Sequence, residues 1–498
     1  MVMDARTPVV VGVGQVTNNT DRLVEPLDLM EQAARLAIAD AGGSIASRIG
    51  SVDVVNILSH RYTTAAGSLA SRLGLPDGAR RYTAIGGNTP QYLVAQACDA
   101  IAAGTVDAVL IVGAEAGGSG RRARKLGVDL EATGVEGLGP DTPLGTERNG
   151  VGPAEMAAGL FAPVMVYPIF ESALAARAGR SPAEQRAWLG RMMAPFTEVA
   201  ATHPDLAWFP TARTPEELST VTADNRLVGE PYTKLLNSII EVDQGAAILV
   251  ASAEAAEAAG VARDRWVFPW ASADCNDVFL PAERPDISRS PAIAAAGAAV
   301  FAAAGVGVGD LATIDLYSCF PCAVEMSAEA LGLDCLDPRG LTVTGGLPYF
   351  GGPGNNYVSH SIATTVDLCR QTPADIGLVT GLGWYVTKHA VGLYSATPPP
   401  NGWQHPDMTA EQARIDATAI EVVGDVSGVA EVEGMTVLHD RVQGPTAAPI
   451  FARFADGRRV VAAAASPELA ASLAGTSLVG QKVTITAASG GAPTYEVS

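Results

Sequence analysis

Positive charge is scarce in this sequence of 498 residues. It has 33 Lys and Arg residues against 53 Asp and Glu residues, which gives a formal net charge of −20 at pH 7. Only four residues are lysine, at positions 125, 234, 388 and 482. A protein that binds nucleic acid needs a basic face for the phosphates. The composition therefore argues against nucleic acid as the main partner, and an anionic ligand would need a local basic patch.

Signals for disulfides, secretion and membrane insertion are also few. The six cysteines are irregularly spaced, unlike a disulfide framework. The first residues carry Asp4 and Arg6 ahead of an apolar run, so no signal peptide is expected. Residues 291–309 are uncharged, but alanine and glycine dominate them, and Ser290-Pro291 is typical of a helix start. We expect a buried helix there and a cytoplasmic protein without a membrane span.

The sequence does contain a regular alternation of apolar, strand-like runs with alanine-rich helical runs. This alternation predicts an α/β fold with a covered sheet. The order breaks down over about residues 117–240, which indicates an inserted loop domain, and a buried strand returns within residues 239–252. Two strand-rich stretches, VDAVLIVGAEA at 106–116 and ADIGLVTGLGW at 374–384, occupy corresponding places. We therefore predict two packed copies of one βα unit.

Three domains follow from this pattern. Residues 1–253 form the first half and contain the insert, and residues 254–400 form the second half. The proline-rich stretch TPPPN at 397–401 is a linker signal. Beyond this linker the sequence pattern changes to short, strand-like runs of alternating apolar and polar residues, separated by glycine turns. Residues 405–498 are therefore predicted to form a small β-barrel of the OB type.

Four segments stand in an order that resembles the thiolase superfamily. They are IGGNTPQYLVAQACDAIAAGTVDAVLIVGAE at 85–115, IDLYSCFP at 314–321, GGLPYFGGPGNN at 345–356 and LVTGLGWY at 378–385. The resemblance covers about residues 7–396. It extends to acetyl-CoA acetyltransferases, to sterol-carrier-type thiolases and, in the extra C-terminal domain, to actinobacterial thiolase-like proteins. It implies a duplicated, five-layer αβαβα fold and CoA or acyl-CoA thioesters as ligands.

The same resemblance implies catalytic groups that this sequence does not carry. Thiolases use a nucleophilic cysteine at a helix start, a histidine, a second cysteine, and an Asn or His that holds a water. The matching positions here are Gly87, Gly352, Val379 and Tyr317, respectively. Cys98 lies about 11 residues beyond the first position, or ~16 Å along a helix, too far to replace the thiol. Standard thiolase activity is therefore not expected.

The segments nevertheless keep groups suited to binding a thioester. A helix start after residue 86 would present free N–H groups to a carbonyl or an anion. The arginines of GSGRRARK at 118–125 follow the fourth strand and are candidates for the phosphates of CoA, with a solvated loop as the alternative. The residues predicted to bind the ligand are Gly86, Gly87, Asn88, Tyr317, Gly351, Gly352, Asn355, Asn356, Arg121, Arg122 and Arg124.

Three residues are weaker candidates for relocated catalysis: Cys319, His360 and His389. Cys319 and Cys322 have redox or zinc spacing, but no second pair accompanies them, so a structural cysteine is favoured and no metal is predicted. His360 follows the glycine-rich loop, whereas His389 reads more readily as a capping or core residue. No cofactor is required beyond CoA or acyl-CoA as ligand.

Three functions remain open from the sequence. The first is a thiolase-like protein of lipid metabolism that binds CoA or acyl-CoA without standard thiolase chemistry. The second is an acyltransferase with relocated groups. The third is a non-catalytic subunit that binds a partner through its C-terminal domain. The family resemblance implies a homodimer, and the extra domain leaves a monomer as the alternative.

Overall fold

The computed structural model describes residues 3–488 and 490–497. Proline in the first turn, or a glycine of positive φ after the last turn, marks several helices of the first half. Helix α1, for example, starts at Pro26 and stops before Gly42, whose φ is 67°. The elements up to the insert are β1 (Pro8–Thr17), α1 (Pro26–Ala41), β2 (Ile49–Val54), α2 (Ala65–Leu73), β3 (Ala79–Thr83), α3 (Thr89–Ala102) and β4 (Ala108–Ala116).

The insert is mainly helical. Its elements are α4 (Gly117–Leu126), β5 (Thr142–Leu144), α5 (Pro153–Ala157), α6 (Pro163–Arg177), α7 (Pro182–Ala201), α8 (Pro215–Ser219), β6 (Leu227–Gly229) and β7 (Tyr232–Thr233). The chain then re-enters the sheet as β8 (Asp243–Ser252) and continues into α9 (Ala253–Ala258). The solvated loop considered as the alternative for residues 118–125 is wrong, because these residues lie in α4. Ser119 and Ala123 are one helical turn apart and are both buried, a spacing that favours a helix with one buried side.

The first sheet has the strand order β1-β8-β4-β2-β3-β5. Strand β8 lies antiparallel between β1 and β4, while β2, β3 and β5 run parallel to β4. The outer edge of β3 is covered by β5, a short strand from the chain's own insert. This edge therefore already has a hydrogen-bonding partner within the same molecule.

The second half forms a smaller sheet in the order β10-β11-β12-β9. Its elements are β9 (Phe268–Asn276), α10 (Pro291–Ala304), β10 (Thr313–Asp315), α11 (Pro321–Leu331), α12 (Tyr357–Gln371), β11 (Gly377–Gly383) and β12 (Lys388–Ser395). The apolar segment IDLYSCFP at 314–321 is a strand only at its start. The chain leaves the sheet after Asp315, since Leu316 donates its N–H to Leu341 and Tyr317 donates its own to the Thr380 hydroxyl.

Helices α3 and α12 lie between the two sheets, because each contacts strands of both. Helix α1 packs on the outer face of the first sheet, and α10 packs on the second sheet. This arrangement is the predicted duplicated, five-layer fold, and one continuous hydrophobic core extends through both halves. It brings the start of α3, the end of β10 and the β11–β12 turn to one place.

The C-terminal region forms a closed barrel with the strand order β13-β16-β17-β19-β18. Its elements are α13 (Thr409–Asp416), β13 (Gly428–Met435), β14 (Leu438–Asp440), β15 (Gly444–Ala447), β16 (Ile450–Phe454), β17 (Arg459–Ala464), α14 (Pro467–Ser472), β18 (Lys482–Thr486) and β19 (Thr494–Val497). The barrel has its own hydrophobic core. Strands β14 and β15 leave it and join β6 and β7 of the insert in a second small sheet. The domain boundaries proposed from the sequence stay predictions.

The chain before the barrel is anchored by His405. Its Nδ1 lies 2.6 Å from Asp99 on α3, and its Nε2 lies 3.5 Å from Asp274 on β9. Trp403 donates its indole N–H to the same Asp99 carboxylate at 2.8 Å. Hydrogen bonds to the two carboxylates raise the pKa of His405 from its ordinary value of 6.5 to about 9.

We expect this anchor to weaken at alkaline pH. A raised folded-state pKa means that the ion pair stabilises the protein fully below pH 6.5, and that this contribution is lost as pH rises through about 9. Solvent screening reduces the contribution to about 1 kcal/mol. The difference in melting temperature between the wild type and His405→Gln, measured at pH 6 and pH 10, should therefore shrink. An equal difference at both pH values would contradict this account.

Within the described ranges, no helix is both long enough and apolar enough to cross a bilayer. Most of the apolar run at 291–309 forms α10, and the buried side of this helix packs against β9 and β12.

Candidate functional site

The turn between β3 and α3 is the centre of the site. Thr89 begins α3 and closes the turn, with its N–H and hydroxyl both donated to the carbonyl of Gly86 at 3.0 and 2.7 Å. The Gly86 N–H in turn is donated to Asn355 Oδ1 at 3.0 Å. On the other side, Gly381 and Gly383 of β11 press against Asn88 so closely that neither position has room for a Cβ. The turn is therefore held between the glycine-rich loop and the second sheet.

Gly87 is the residue that the sequence matches to the thiolase nucleophile, and this match stays a prediction; its side-chain space is occupied. A Cβ built on Gly87 would overlap the Tyr317 hydroxyl and the carbonyl oxygen of Leu382. The Tyr317 ring is buried and lies edge-on to Tyr357, with 5.7 Å between ring centroids. Burial raises the pKa of Tyr317, so the phenol is neutral at ordinary pH. At this position the site therefore presents a neutral hydroxyl.

The glycine-rich loop approaches the protein's own atoms. Gly351 has a φ of +121°, and a Cβ there would overlap the Gln244 amide. A Cβ on Gly352, at the position of the thiolase histidine, would overlap the Ser238 hydroxyl and lie 3.0 Å from the carbonyl of Ile239. Gly352 also donates its N–H to that carbonyl at 2.9 Å. Glycine is thus required here by close internal packing.

Asn355 and Asn356 use their amides within the protein. Asn355 donates to the carbonyl of Asn56 at 3.0 Å, in addition to accepting from the turn. Asn356 donates to the carbonyl of Gly113 at 2.7 Å and accepts the Ser359 hydroxyl at 2.7 Å. The two side chains connect the loop to the first sheet. Their predicted role in ligand binding stays a prediction.

Asn88 has a different environment. Its side-chain oxygen is buried and has no hydrogen-bond partner among the described residues. A buried amide oxygen without a partner costs about 1–3 kcal/mol unless a water or a ligand satisfies it. Among the residues predicted to bind the ligand, Asn88 therefore has a side-chain oxygen at the turn that could still accept a hydrogen bond.

The three weak catalytic candidates lie in enclosed positions. His360 is fully buried, its Nδ1 lies 2.8 Å from Gln15 Oε1, and burial lowers its pKa to about 3. His389 Nε2 lies 3.0 Å from Asp277 and 3.4 Å from Ser290. A serine–histidine–aspartate relay needs both imidazole nitrogens, one for each partner. Here a single nitrogen faces both groups, so this cluster stabilises the start of α10.

Cys319 is buried, and burial raises the pKa of its thiol to about 12. The thiolate is the reactive form of cysteine, and burial in apolar surroundings keeps it scarce. Cys319 and Cys322 are both free thiols. Within residues 3–488 and 490–497, no group of His, Cys, Asp or Glu has the arrangement of a metal site. The structural interpretation of this cysteine pair agrees with these observations.

Two other parts of the predicted set lie away from the turn. Val379 pairs with Asp315 and Gly392 in the second sheet. On α4, Arg122 forms an ion pair with the buried Asp243 at 2.5 Å. Arg121 and Arg124 are exposed and face Glu241 at 3.0 and 3.8 Å. The predicted phosphate contacts of these arginines stay predictions.

A cavity of about 730 Å³ opens beside the loop. The insert supplies most of its wall, and Pro348 and Tyr349 of the loop complete it. Tyr349 and Asn237 are lining residues whose hydroxyl and Oδ1 atoms, respectively, are buried and have no hydrogen-bond partner within the part of the chain that the structure describes. Its lining residues are Val164, Phe209, Thr211, Arg213, Glu216, Glu217, Thr220, Thr222, Asp224, Asn225, Val228, Lys234, Leu235, Asn237, Ser238, Ile239, Pro348 and Tyr349.

Sequence reasoning missed this cavity. Two of its lining residues, Arg213 and Lys234, form no ion pair within the described part of the chain. Arg213 is close enough to the Tyr349 hydroxyl to lower its pKa slightly, although burial raises that pKa overall. The only signal in the sequence was that Lys234 is one of four lysines and precedes the re-entering strand.

Comparisons with known proteins agree with this architecture. The crystal structure of a monomeric SCP2-thiolase like protein type 1 from Mycobacterium smegmatis is 33% identical, with a TM-score of 0.85, and the match covers 100% of both chains. The chain belongs to the SCP2-thiolase-like proteins of type 1. Residues 412–489 match the family model of the thiolase-like protein type 1 additional C-terminal domain. The predicted resemblance to the thiolase superfamily is therefore confirmed.

Two further solved structures share the fold of this SCP2-thiolase-like protein. The first is titled Ltp2-ChsH2(DUF35) aldolase, with 21% identity and a TM-score of 0.59 over 78% of this chain and 98% of the other. The second is an acetyl-CoA acetyltransferase from Syntrophomonas wolfei, with 15% identity and a TM-score of 0.58 over 79% of this chain and 100% of the other. At these identities the similarity concerns the fold alone. No curated protein matches this sequence.

Proposed function

We propose that the protein binds CoA or an acyl-CoA thioester and does not perform standard thiolase chemistry. The observation that carries the proposal is the contact between Gly87 and Tyr317. The space matched to the thiolase nucleophile is filled by the neutral phenol of Tyr317. A neutral phenol can form a hydrogen bond with a bound ligand but is a poor nucleophile for an acyl group at neutral pH. The family scaffold around this contact is intact, and this supports retained binding.

The cavity beside the loop is the binding site in this proposal. Its volume of about 730 Å³ lies in the range of small-molecule and cofactor sites. Arg213 and Lys234 supply positive charge for phosphates, and Tyr349 and Asn237 supply buried polar atoms that need a partner. The lining also carries Glu216, Glu217 and Asp224, so the positive charge offered to an anionic ligand is confined to the Arg213 and Lys234 side chains.

An acyltransferase with relocated groups is the second candidate, and its strongest residue is Cys319. This thiol is buried and has a pKa raised to about 12, which disfavours attack on a thioester. We therefore rank this candidate below binding. Acyl transfer from acetyl-CoA that is abolished in Cys319→Ala would reverse the ranking.

The proposed working form is a monomer in the cytoplasm, acting on ligands of lipid metabolism. Two observations support the monomer. The outer strand β3 of the first sheet is already paired with β5, and the similar protein from Mycobacterium smegmatis is described as monomeric.

Calorimetric titration with CoA tests the binding proposal. Replacing Arg213 with alanine removes a charge-assisted contact, so we expect the dissociation constant to rise about tenfold. Arg458→Ala is the matched comparison, because Arg458 lies on a surface turn of the barrel, outside the cavity lining. Its dissociation constant should equal that of the wild type. No binding heat from the wild type at millimolar CoA would end the proposal, and an unchanged dissociation constant in Arg213→Ala would remove the cavity as the phosphate site.

A further inference from the structure

The hairpin formed by β6 and β7 connects the cavity to the C-terminal barrel. Its turn lies at Glu230-Pro231 and points at the barrel, while its other end continues into the cavity wall. Strand β6 has three residues and β7 has two. A two-stranded hairpin is marginally stable by itself, and one this short needs outside support.

The barrel supplies that support at Glu230. This residue is 5% exposed, and its four polar contacts all go to the barrel region. Its N–H is donated to Val437 at 3.0 Å, and its carbonyl accepts the Thr436 hydroxyl at 3.1 Å. The carboxylate lies 2.7 Å from His439 Nε2 and accepts the Gly475 N–H at 2.7 Å.

Strand pairing reinforces the same contact. Leu438 of β14 pairs with Gly229 of β6, which places the insert hairpin and the barrel hairpin in one four-stranded sheet. Gly229 itself has no room for a Cβ, since it packs against Val164 and Pro168 of α6. The hairpin is thus fixed between α6 and the barrel.

The opposite end of the hairpin forms the cavity wall. Val228 of β6 and Lys234 after β7 both line the cavity. Lys234 donates its N–H to the carbonyl of Arg226 at 2.8 Å, and Leu235 donates to Asn225 Oδ1 at 2.9 Å. A shift of the hairpin therefore moves Lys234, one of the two cations proposed to contact phosphates.

We infer that the C-terminal barrel acts as a brace for the ligand cavity and that Glu230 is the positioning residue of this brace. The barrel holds the turn of the hairpin, and the hairpin holds Lys234 and Val228 at the cavity. The link to ligand affinity rests on the proposed binding of CoA. The brace itself is independent of the ligand identity.

Hydrogen–deuterium exchange of the full-length protein tests the brace without any ligand. In Glu230→Ala we expect exchange of residues 222–239 to rise about tenfold, with β8 unchanged, because local opening no longer has to break the carboxylate contacts with His439 and Gly475 and has only the backbone contacts to break. Glu230→Gln keeps an acceptor for Gly475 and a polar group for His439, so it should restore exchange close to that of the wild type. Arg458→Ala, on the exposed β16–β17 turn, is the matched barrel control and should change nothing.

CoA titration of the same variants tests the coupling. We expect the dissociation constant to rise about tenfold in Glu230→Ala and to stay within about threefold of the wild type in Glu230→Gln. Unchanged exchange over residues 222–239 in Glu230→Ala would overturn the brace. Raised exchange with an unchanged dissociation constant would overturn the coupling to the ligand.

The two experiments separate failure of the proposed function from failure of the brace. A wild type that binds no CoA overturns the proposed function, whereas the exchange of residues 222–239 decides whether Glu230 positions the hairpin at the cavity. If Glu230→Ala raises exchange in β8 as well, this variant destabilises the whole protein. The milder variant His439→Ala is then used to test the brace. That variant removes one of the four contacts and should raise exchange over 222–239 about threefold.

Discussion

Replacing Gly345 with alanine is expected to destabilise the protein by about 3 kcal/mol or more, because two penalties coincide. Gly345 has a φ of +114°, a conformation that an L side chain rarely adopts. A Cβ there would also lie 2.5 Å from Ala200 Cβ and 2.7 Å from its Cα and backbone nitrogen. The obstacle is the backbone of helix α7, which cannot move as a flexible side chain would. Urea unfolding of the variant and the wild type measures this effect.

Gly340→Ala is the matched control for this prediction. Its φ is also positive, at +81°, but the nearest heavy atom to an added Cβ is the Thr342 carbonyl oxygen at 3.9 Å. Only the backbone penalty applies, so we expect a loss of about 1 kcal/mol. Equal losses in the two variants would show that the contact with α7 does not matter.

The second large effect is expected at Arg459. This residue of β17 is fully buried and donates to the carbonyls of Ala282 and Arg284 at 2.9 and 2.5 Å. It also pairs with Glu433 at 2.7 Å. It therefore joins the barrel to the second half of the core. Arg459→Ala leaves two buried carbonyls without their donor and leaves the Glu433 carboxylate to Arg453 alone, so we expect a loss of about 2–5 kcal/mol, measured as a lower midpoint of unfolding.

Arg458→Ala is the comparison for Arg459. The two arginines are adjacent in sequence, but Arg458 is exposed and pairs with Asp456 across a surface turn. Exposed ion pairs contribute little because water and salt screen them. The midpoint of Arg458→Ala should equal that of the wild type. A barrel that stays docked with an unchanged midpoint in Arg459→Ala would contradict the structural role assigned to that residue.

Many local elements were predictable because their signals are local. Helices α1, α2, α10 and α11 are bounded by such signals, since glycine ends each of them and proline opens three. The apolar segment at 314–320 is not a strand throughout, for a different reason. Its apolar residues are buried, but they are buried against the loop and the insert, and the sheet ends at Asp315.

The site was predictable in outline and not in its contacts. The order of four motifs located the turn, the loop and the position of Gly87. The sequence left open whether Tyr317 fills that space or is available to a bound carbonyl, because residues 87 and 317 meet only when the two halves pack. The cavity was missed for the same reason, since its wall combines the insert with the loop at Pro348 and Tyr349.

The amino-acid sequence by itself determined the duplicated α/β fold and the extra barrel, and it predicts which residues stand at the thiolase positions. These follow from periodicity, capping residues and motif order, which act over a few neighbouring residues. Only the tertiary structure decided that the loop glycines pack against Ala200, Gln244 and Ser238, and that Glu230 ties the cavity wall to the barrel. Such contacts join residues up to hundreds of positions apart, and their geometry exists only once the layers and the barrel have assembled.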